Sequence, residues 1–433
     1  MADEPSSQHP VGGTGGTTAP ATAAVARRAL LPLFVTVTID ILGFGMVLPL
    51  LPLYVDRYGG EPIVAGVLTT SFSAAQFLFA PLWGRASDLC GRRPLILLSL
   101  VGSALAFALF GAARSLWVLF AARIAGGILT AASLPTAHAY IADVTSPEHR
   151  ARGMALIGVA FGVGFSCGPM LGGWLGNRYG LPAPAYAVAA IAVANFVWSW
   201  FALPETLPRE RRGQGARRPL FFDVQRFRQA YRNPDLGRLL SVFTVTNLGF
   251  AMVEATFTWL ILKRFVAVEL GGLAPQDLLE RRAAGEAGKA FLVIGLAAMV
   301  TQGAVMGGAA RRIGDARLLQ AGLVVLGLSL FAIAGAGSLG ALLWLSAAMA
   351  AGSSMQSPAL NSLVSKHAEE GERGSVLGLQ QGLGSFARML APPLGTWLLQ
   401  RWTPGLPFAA AAAMVAIAFL ASLAVREPEP SGQ

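Results

Sequence analysis

The sequence predicts an all-α membrane protein: twelve transmembrane helices arranged as two pseudo-symmetric six-helix bundles. Three observations lead there. Of the 433 residues, 54% are hydrophobic and only 13% charged, with a mean hydropathy of +0.57; soluble domains carry about 25% charged residues. The apolar residues gather in twelve windows of about 20 residues, the length that crosses a bilayer as a helix. The two halves also repeat. Gly84, Gly91, Leu95, Pro169, Gly172 and Trp174 recur 223 positions on as Gly307, Gly314, Leu318, Pro392, Gly395 and Trp397. Six spans repeated once imply a pseudo-two-fold axis along the membrane normal, with any ligand site near mid-membrane between the halves.

Taken in order, residues 1–26 hold a Gly/Thr/Ala/Pro tract with few charges and no apolar core, which reads as a disordered tail and not a signal peptide. The spans fall near 30–55, 63–83, 94–112, 116–141, 152–176, 184–203, 238–262, 288–310, 316–335, 339–365, 375–400 and 405–425. They divide the chain into an N-terminal bundle over 27–203, a linker over 204–237, a C-terminal bundle over 238–426 and a tail over 427–433. Lys and Arg concentrate on one side of the first-half spans, which places both termini in the cytoplasm; the segment 263–289 holds five and blurs the second half. That placement makes the formal charge of +10 topological, and nucleic acid is excluded as a partner.

Span one carries Asp40, followed by Leu42-Gly43 and then Pro49 and Pro52. A carboxylate about ten residues into a span lies ~15 Å deep, where insertion costs about 2.5–3.5 kcal/mol, so such a residue is a functional candidate by default. Gln76 shares a stripe of span two with Thr69 and Ser73 and is a weaker cavity candidate. Between spans two and three lies a short charged hairpin, Gly84, Asp88, Gly91, Arg92 and Arg93, with Pro94 suited to the first turn of the next helix. Gly84 permits close helix approach, Asp88 can accept from an arginine, and Arg92 and Arg93 oppose the helix dipole, so helix stability did not place them. Span four holds Arg123 and, near its inner end, His138, which faces either the cavity or an interface. Gly164, Gly168, Gly172 and Gly176 recur every fourth residue in span five, with Pro169 and Gly173 beside them; the stripe suits backbone-to-backbone packing, with a kink at the proline.

The linker alternates arginines with Phe221, Val224, Phe227 and Tyr231 at helical spacing. It reads as a helix lying on the inner membrane surface or as a solvated connector. In the second half, Thr244, Asn247, Glu254 and Thr258 share a face of span seven, and Gln381, Ser385 and Arg388 share one of span eleven. Asp40, Arg123, Glu254 and Arg388 are the four formal charges deep within the expected spans. The two cysteines make no disulfide framework and the four histidines no metal spacing. No hydrolase elbow, zinc-protease pair or phosphate-binding loop occurs, so no enzyme and no metal is expected.

The hairpin resembles the signature loop between spans two and three of the major facilitator superfamily, with Leu89 where the family commonly has a basic residue. The glycine-proline run of span five resembles the motif of its antiporter branches. The Leu-Gly-x5-Pro-x-x-Pro run after Asp40 is similar to span one of the twelve-span drug:proton antiporters, tetracycline exporters among them, and the Leu119-to-Gly127 stretch around Arg123 resembles the span-four motif linked to proton transfer. The likeness implies alternating access in an inner membrane, with export of small amphipathic compounds driven by the proton gradient and no cofactor. Asp40 and Arg123 would couple protons and the hairpin would gate the inner mouth of a monomer. Apart from the likeness, the polar stripes of spans seven and eleven are expected to set Asn247, Glu254, Gln381 and Arg388 along the cavity, with Gln76 of span two beside them. A carboxylate holds its proton more tightly when desolvated and less tightly near an arginine, so a changing approach of Arg123 to Asp40 would give the two access states different proton affinities. Two other readings stay open: a metabolite or sugar carrier of the same fold, and a membrane receptor that transports nothing. The ninth span, 316–335, lacks the acidic residue that tetracycline exporters carry there.

Overall fold

The computed structural model describes residues 19–145, 147–207, 212, 227–228, 230–271, 274–304, 310–368 and 373–425. Among these the chain forms helices in the expected order. Span one is Ala19–Val47, continued through a 3-10 turn (Leu48–Leu50) into Leu51–Arg57; span two is Pro62–Cys90, span three Arg92–Gly111, and span four two helices, Leu116–Thr130 and Ser133–Val144. Spans five and six are Pro147–Tyr179 and Pro182–Ala202; span seven is Pro234–Ile261, drawn out by a π turn (Leu262–Val266) to Glu269. Spans eight to twelve are Gln276–Ala304, Asp315–Ala334, Leu339–His367, Arg373–Arg401 and Leu406–Ser422. Eight of these are long and apolar enough to cross a membrane by composition alone. Span twelve has 17 residues, while five, ten and eleven carry more glycine and polar side chains.

Prolines set the breaks. Pro49 and Pro52 lack the N–H that would continue span one, and Pro135 leaves the Ala131 carbonyl without its i+4 donor, splitting span four. Asn233 starts span seven by accepting from the backbone N–H groups of Asp235 (3.1 Å) and Leu236 (3.3 Å).

Three sequence boundaries need correction. Helix begins at Ala19, inside the tail expected over 1–26, because the alanine-rich run after Pro20 favours helix. The hairpin expected from Gly84 shrinks to one residue: span two runs to Cys90 and span three begins at Arg92, with Gly91 turning the chain at φ +108°. The segment 263–289 is largely helical, extending spans seven and eight. The linker residues Phe221 and Val224, and Gly307 of the repeat, lie outside the described residues; Phe227, Arg228 and Ala230 are helical, with Phe227 stacked on Tyr231 at 4.5 Å.

The packing shows the repeat directly. In the first half, span one packs on five and six, three on four and six, and two on four; the second half repeats this with seven on eleven and twelve, nine on ten and twelve, and eight on ten. Gly91 and Gly314, repeat equivalents, both cap the following helix with positive φ. The halves meet through span two against eleven and span five against eight, pairs that the pseudo-two-fold exchanges.

These contacts gather at the end away from Gly91. Gln400 donates to Glu61 (2.8 Å) and accepts from the Ile63 N–H (3.3 Å), and Thr70 donates to the Met389 carbonyl (2.6 Å). A Cβ on Gly66 would collide with Thr396, and one on Gly173 would lie 2.5 Å from the Gly288 Cα and the Ala284 oxygen. Toward the other end of span eleven, Gln381 and Arg388 are exposed; polar side chains on one helix face, exposed at this depth, border a cleft and not lipid. The cleft is shut at the far end and opens toward Gly91.

Arg57 and Glu280, 223 residues apart and so repeat equivalents, meet across the pseudo-axis at the closed end with N–O distances of 3.2 and 2.9 Å. Glu280 is 1% exposed. Arg57→Gln leaves that carboxylate buried without its counter-ion, a loss of about 3–5 kcal/mol for a pair of this kind. The expected result is a shift toward far-end opening, read as faster labelling of a cysteine placed at Thr69, with Arg57→Gln/Glu280→Gln closer to wild type than the single variant.

Candidate functional site

Span one turns Asp40 toward spans three and four. Its carboxylate is buried beside the Ser103 and Ser133 hydroxyls, and no cation pairs with it among the described residues. One helical turn on, Phe44 faces the cleft, its ring 5.6 Å from Phe72 and 6.0 Å from Phe165. Arg123 is 3% exposed and lies behind that layer, its guanidinium 4.3 Å from the Phe72 centroid and 5.8 Å from Phe44. Its Nε and one Nη have no acceptor. Asp40 and Arg123 therefore occupy the same bundle but form no ion pair in this access state, and among the described residues Arg123 rests against the faces of Phe44 and Phe72.

At the centre Phe44, Leu48, Thr69, Ser73, Ala251, Glu254, Ala255, Arg388 and Pro392 line a narrow gap between the halves, far smaller in this state than the ~300–1,000 Å³ of small-molecule pockets. Of the expected cavity residues, Glu254 and Arg388 line it. Gln76 lies a turn beyond Ser73 outside it, Asn247 turns back to donate to its own helix at the Phe243 carbonyl (2.9 Å), and Gln381 sits nearer the open mouth. His138 is exposed, its ring against the Leu134 carbonyl at 2.8 Å.

The glycine stripe packs as its spacing implies. Cβ atoms on Gly164, Gly168 and Gly172 would strike span one at Ile41, Leu42 and Met46, and Gly173 is the close approach to span eight. Gly84 differs: an added Cβ would find only Pro135, at an ordinary 3.9 Å, so no tight helix approach depends on it here.

The hairpin arginine is engaged on several sides. Arg92 is 7% exposed and pairs with Asp88, with Asp143 of span four at 3.2 Å and with the Ser87 hydroxyl at 2.8 Å. Glu205, just after span six, accepts from the backbone N–H groups of Arg92 (2.9 Å) and Arg93 (3.2 Å), capping the start of span three. A carboxylate there offsets the arginines' conflict with the helix dipole. Arg93 instead reaches the Trp200 carbonyl (2.6 Å). The second half mirrors this with charges exchanged: Asp315, the repeat equivalent of Arg92, pairs with Lys366, the equivalent of Asp143, at 2.7 Å. Sequence reasoning missed Asp143, Glu205, Asp315 and Lys366. Gly91→Ala puts an L-residue at φ +108° and drives its Cβ into Glu205; a loss of about 1–3 kcal/mol is expected, checked by thermal unfolding of the purified protein.

Two pseudo-symmetric bundles around a charged central cleft, closed at one end, define a multi-pass membrane carrier. The family model of the Major Facilitator Superfamily matches residues 33–304 and 271–433, and the chain belongs to that superfamily; it is a carrier and not an enzyme. It is 32% identical to the tetracycline resistance protein, class C, of Escherichia coli, over 86% of this chain and 89% of the relative. It is also 32% identical to major facilitator superfamily domain-containing protein 10 of Homo sapiens, over 84% and 86%. The crystal structure of the human organic anion transporter MFSD10 superposes with a TM-score of 0.63 at 27% identity, covering 92% of this chain and 99% of that one. The nucleoside transporter NupG, at 12% identity and a TM-score of 0.70, shares the fold.

Proposed function

We propose that the chain is a proton-coupled antiporter that exports small amphipathic compounds by alternating access across an inner membrane, working as a monomer with both termini and the Gly91 end in the cytoplasm. The observation that carries this reading is Asp40: a carboxylate buried mid-span with no counter-ion among the described residues, one turn from an aromatic residue of the central cleft. A group so placed is functional before it is structural. The tetracycline-exporter relatives support export, and a cleft wall that sets Phe44, Leu48, Ala251 and Pro392 beside Glu254 and Arg388 supports an amphipathic cargo. Arg123 supplies the cation that approaches Asp40 in the opposite access state, Glu254 and Arg388 hold the cargo, and Asn247, Gln381 and Gln76 border its path. The hairpin cluster and the span-five stripe steady the two ends during rocking.

A second reading, an organic-anion carrier, is favoured by Arg123 and Arg388, two guanidiniums with donors to spare near one cleft, and by the likeness to the human organic anion transporter MFSD10. The test is a proton-flux screen in inverted vesicles against cationic, neutral, zwitterionic and anionic compounds. Substrate-evoked proton movement out of the vesicle lumen is expected, and no such movement for any compound would overturn the antiport reading.

A further inference from the structure

The central cleft holds two ionisable groups of opposite sign that do not touch. Glu254 and Arg388 both line it and lie within reach of each other's charge, yet no ion pair joins them. Arg388 makes one long hydrogen bond, from Nη2 to the Ser385 hydroxyl at 3.4 Å, and Glu254 makes none. One further free charge stands close to this lining, Arg123 of span four, behind the Phe44 ring at 5.8 Å. Spans one and two face it with Phe44, Leu48, Thr69 and Ser73. Span twelve carries no charged residue, and span ten's ionisable groups, Lys366 and His367, are at its last turn. Span eight's charges sit in its first four turns, Glu280 and Glu286 in ion pairs of their own.

Charge arithmetic then sets what the cleft accepts. Arg388 stays protonated at any physiological pH. The pair is neutral with Glu254 ionised and +1 with Glu254 protonated; it is never negative. A cation approaching Glu254 meets a guanidinium beside its only counter-ion. An anion finds unused guanidinium donors, with one obstacle, the ionised form of Glu254.

We propose that Glu254 is the charge-selecting residue of this cleft: an organic anion docks its carboxylate on Arg388, and Glu254 takes up one proton as it does so. The assignment rests on the cleft being the substrate site, as proposed above. The arriving carboxylate draws the arginine's charge to itself and sets a like charge near Glu254, and both effects favour the protonated acid. The proton comes from water at the open mouth; one O–H bond forms at Glu254 and no other bond changes. The anion's aromatic body rests against Phe44, which is already packed on Phe72. The sign is opposite to that at Asp40, where substrate arrival releases a proton, so a substrate's charge sets the net proton exchange on binding.

The test uses the purified full chain in detergent with three probes of one shape: 2-naphthoate, 2-naphthamide and 2-naphthylmethylammonium. Asp40→Asn, which removes the opposing proton release, is the background. In it naphthoate is expected to bind about tenfold or more tighter than the ammonium, with proton uptake and an affinity that falls as pH rises, while the wild type shows smaller net uptake. Asp40→Asn/Glu254→Gln should bind naphthoate with no pH dependence and no uptake. Arg388→Gln should lose the preference for naphthoate while still binding the amide, which shows the variant is folded. Retained pH dependence in Asp40→Asn/Glu254→Gln, or tighter binding of the ammonium by the wild type, would overturn the assignment alone. Failure of all three probes to bind the wild-type chain would overturn the cleft as substrate site and this assignment with it.

Discussion

Gly173→Leu is expected to abolish transport, by at least about 100-fold in rate, and to hold the cleft open at the end where it is now shut. Spans five and eight meet there backbone to backbone, with room for no side chain: a single added carbon at Gly173 would sit 2.5 Å from the Gly288 Cα and the Ala284 carbonyl. Such contacts depend on small residues because packing, and not water release, drives helix association in a bilayer. Span five cannot retreat from the intruding side chain. Its other glycines, Gly164, Gly168 and Gly172, already rest on Ile41, Leu42 and Met46 of span one. The halves must therefore separate at this end, taking the Arg57–Glu280 contact with them. A cysteine at Ser73, in a background free of Cys90 and Cys167, should react with an impermeant maleimide from the far side in Gly173→Leu and from the Gly91 side in the wild type. Gly162→Leu serves as control, since nothing lies within 4 Å of a Cβ there. Unchanged sidedness in Gly173→Leu would mean that the spans slide past one another and that this contact does not govern closure.

The helices, their order and their doubling were legible in the sequence, because twenty-residue apolar windows and a fixed offset between glycines survive in one dimension. Gly91 and Gly314 were read from that offset and turn out to share a backbone conformation open to few other residues. The charges around them were harder to read. Arg92–Asp143 in one half corresponds to Asp315–Lys366 in the other with the signs exchanged, so a search for identical residues passes over both. Arg57 and Glu280 carried a usable signal, since opposite charges at equivalent positions near the span ends can meet only on the two-fold axis. Within the expected cavity set, helical periodicity put Asn247 on the face of Glu254 and Gln381 on that of Arg388. It could not say at what height the cleft narrows, and only Glu254 and Arg388 reach the narrow part. The meeting of Asp40 with Ser103 and Ser133 joins three spans, and no spacing within one span encodes it.

Asp40→Asn carries the other large expected effect. The amide has nearly the carboxyl's shape and cannot ionise, so packing beside Ser103 and Ser133 is kept while the exchangeable proton is removed. Under the proposed coupling, substrate addition then releases no proton from this site, and uphill export in inverted vesicles falls to background. Equilibrium binding and downhill flux of a neutral substrate stay within about fivefold of wild type, since the cleft residues Glu254 and Arg388 belong to the other bundle. Asp40→Glu separates ionisation from shape: it restores a titratable group but pushes it about one bond further toward the two hydroxyls, so partial uphill export with an altered pH profile is expected. Ser103→Ala and Ser133→Ala remove two polar neighbours of the carboxylate and should shift that pH profile without abolishing export. Uphill export by the Asn variant at the wild-type rate would remove Asp40 from the coupling path. The burden would then fall on Glu254, the other carboxylate deep in the spans.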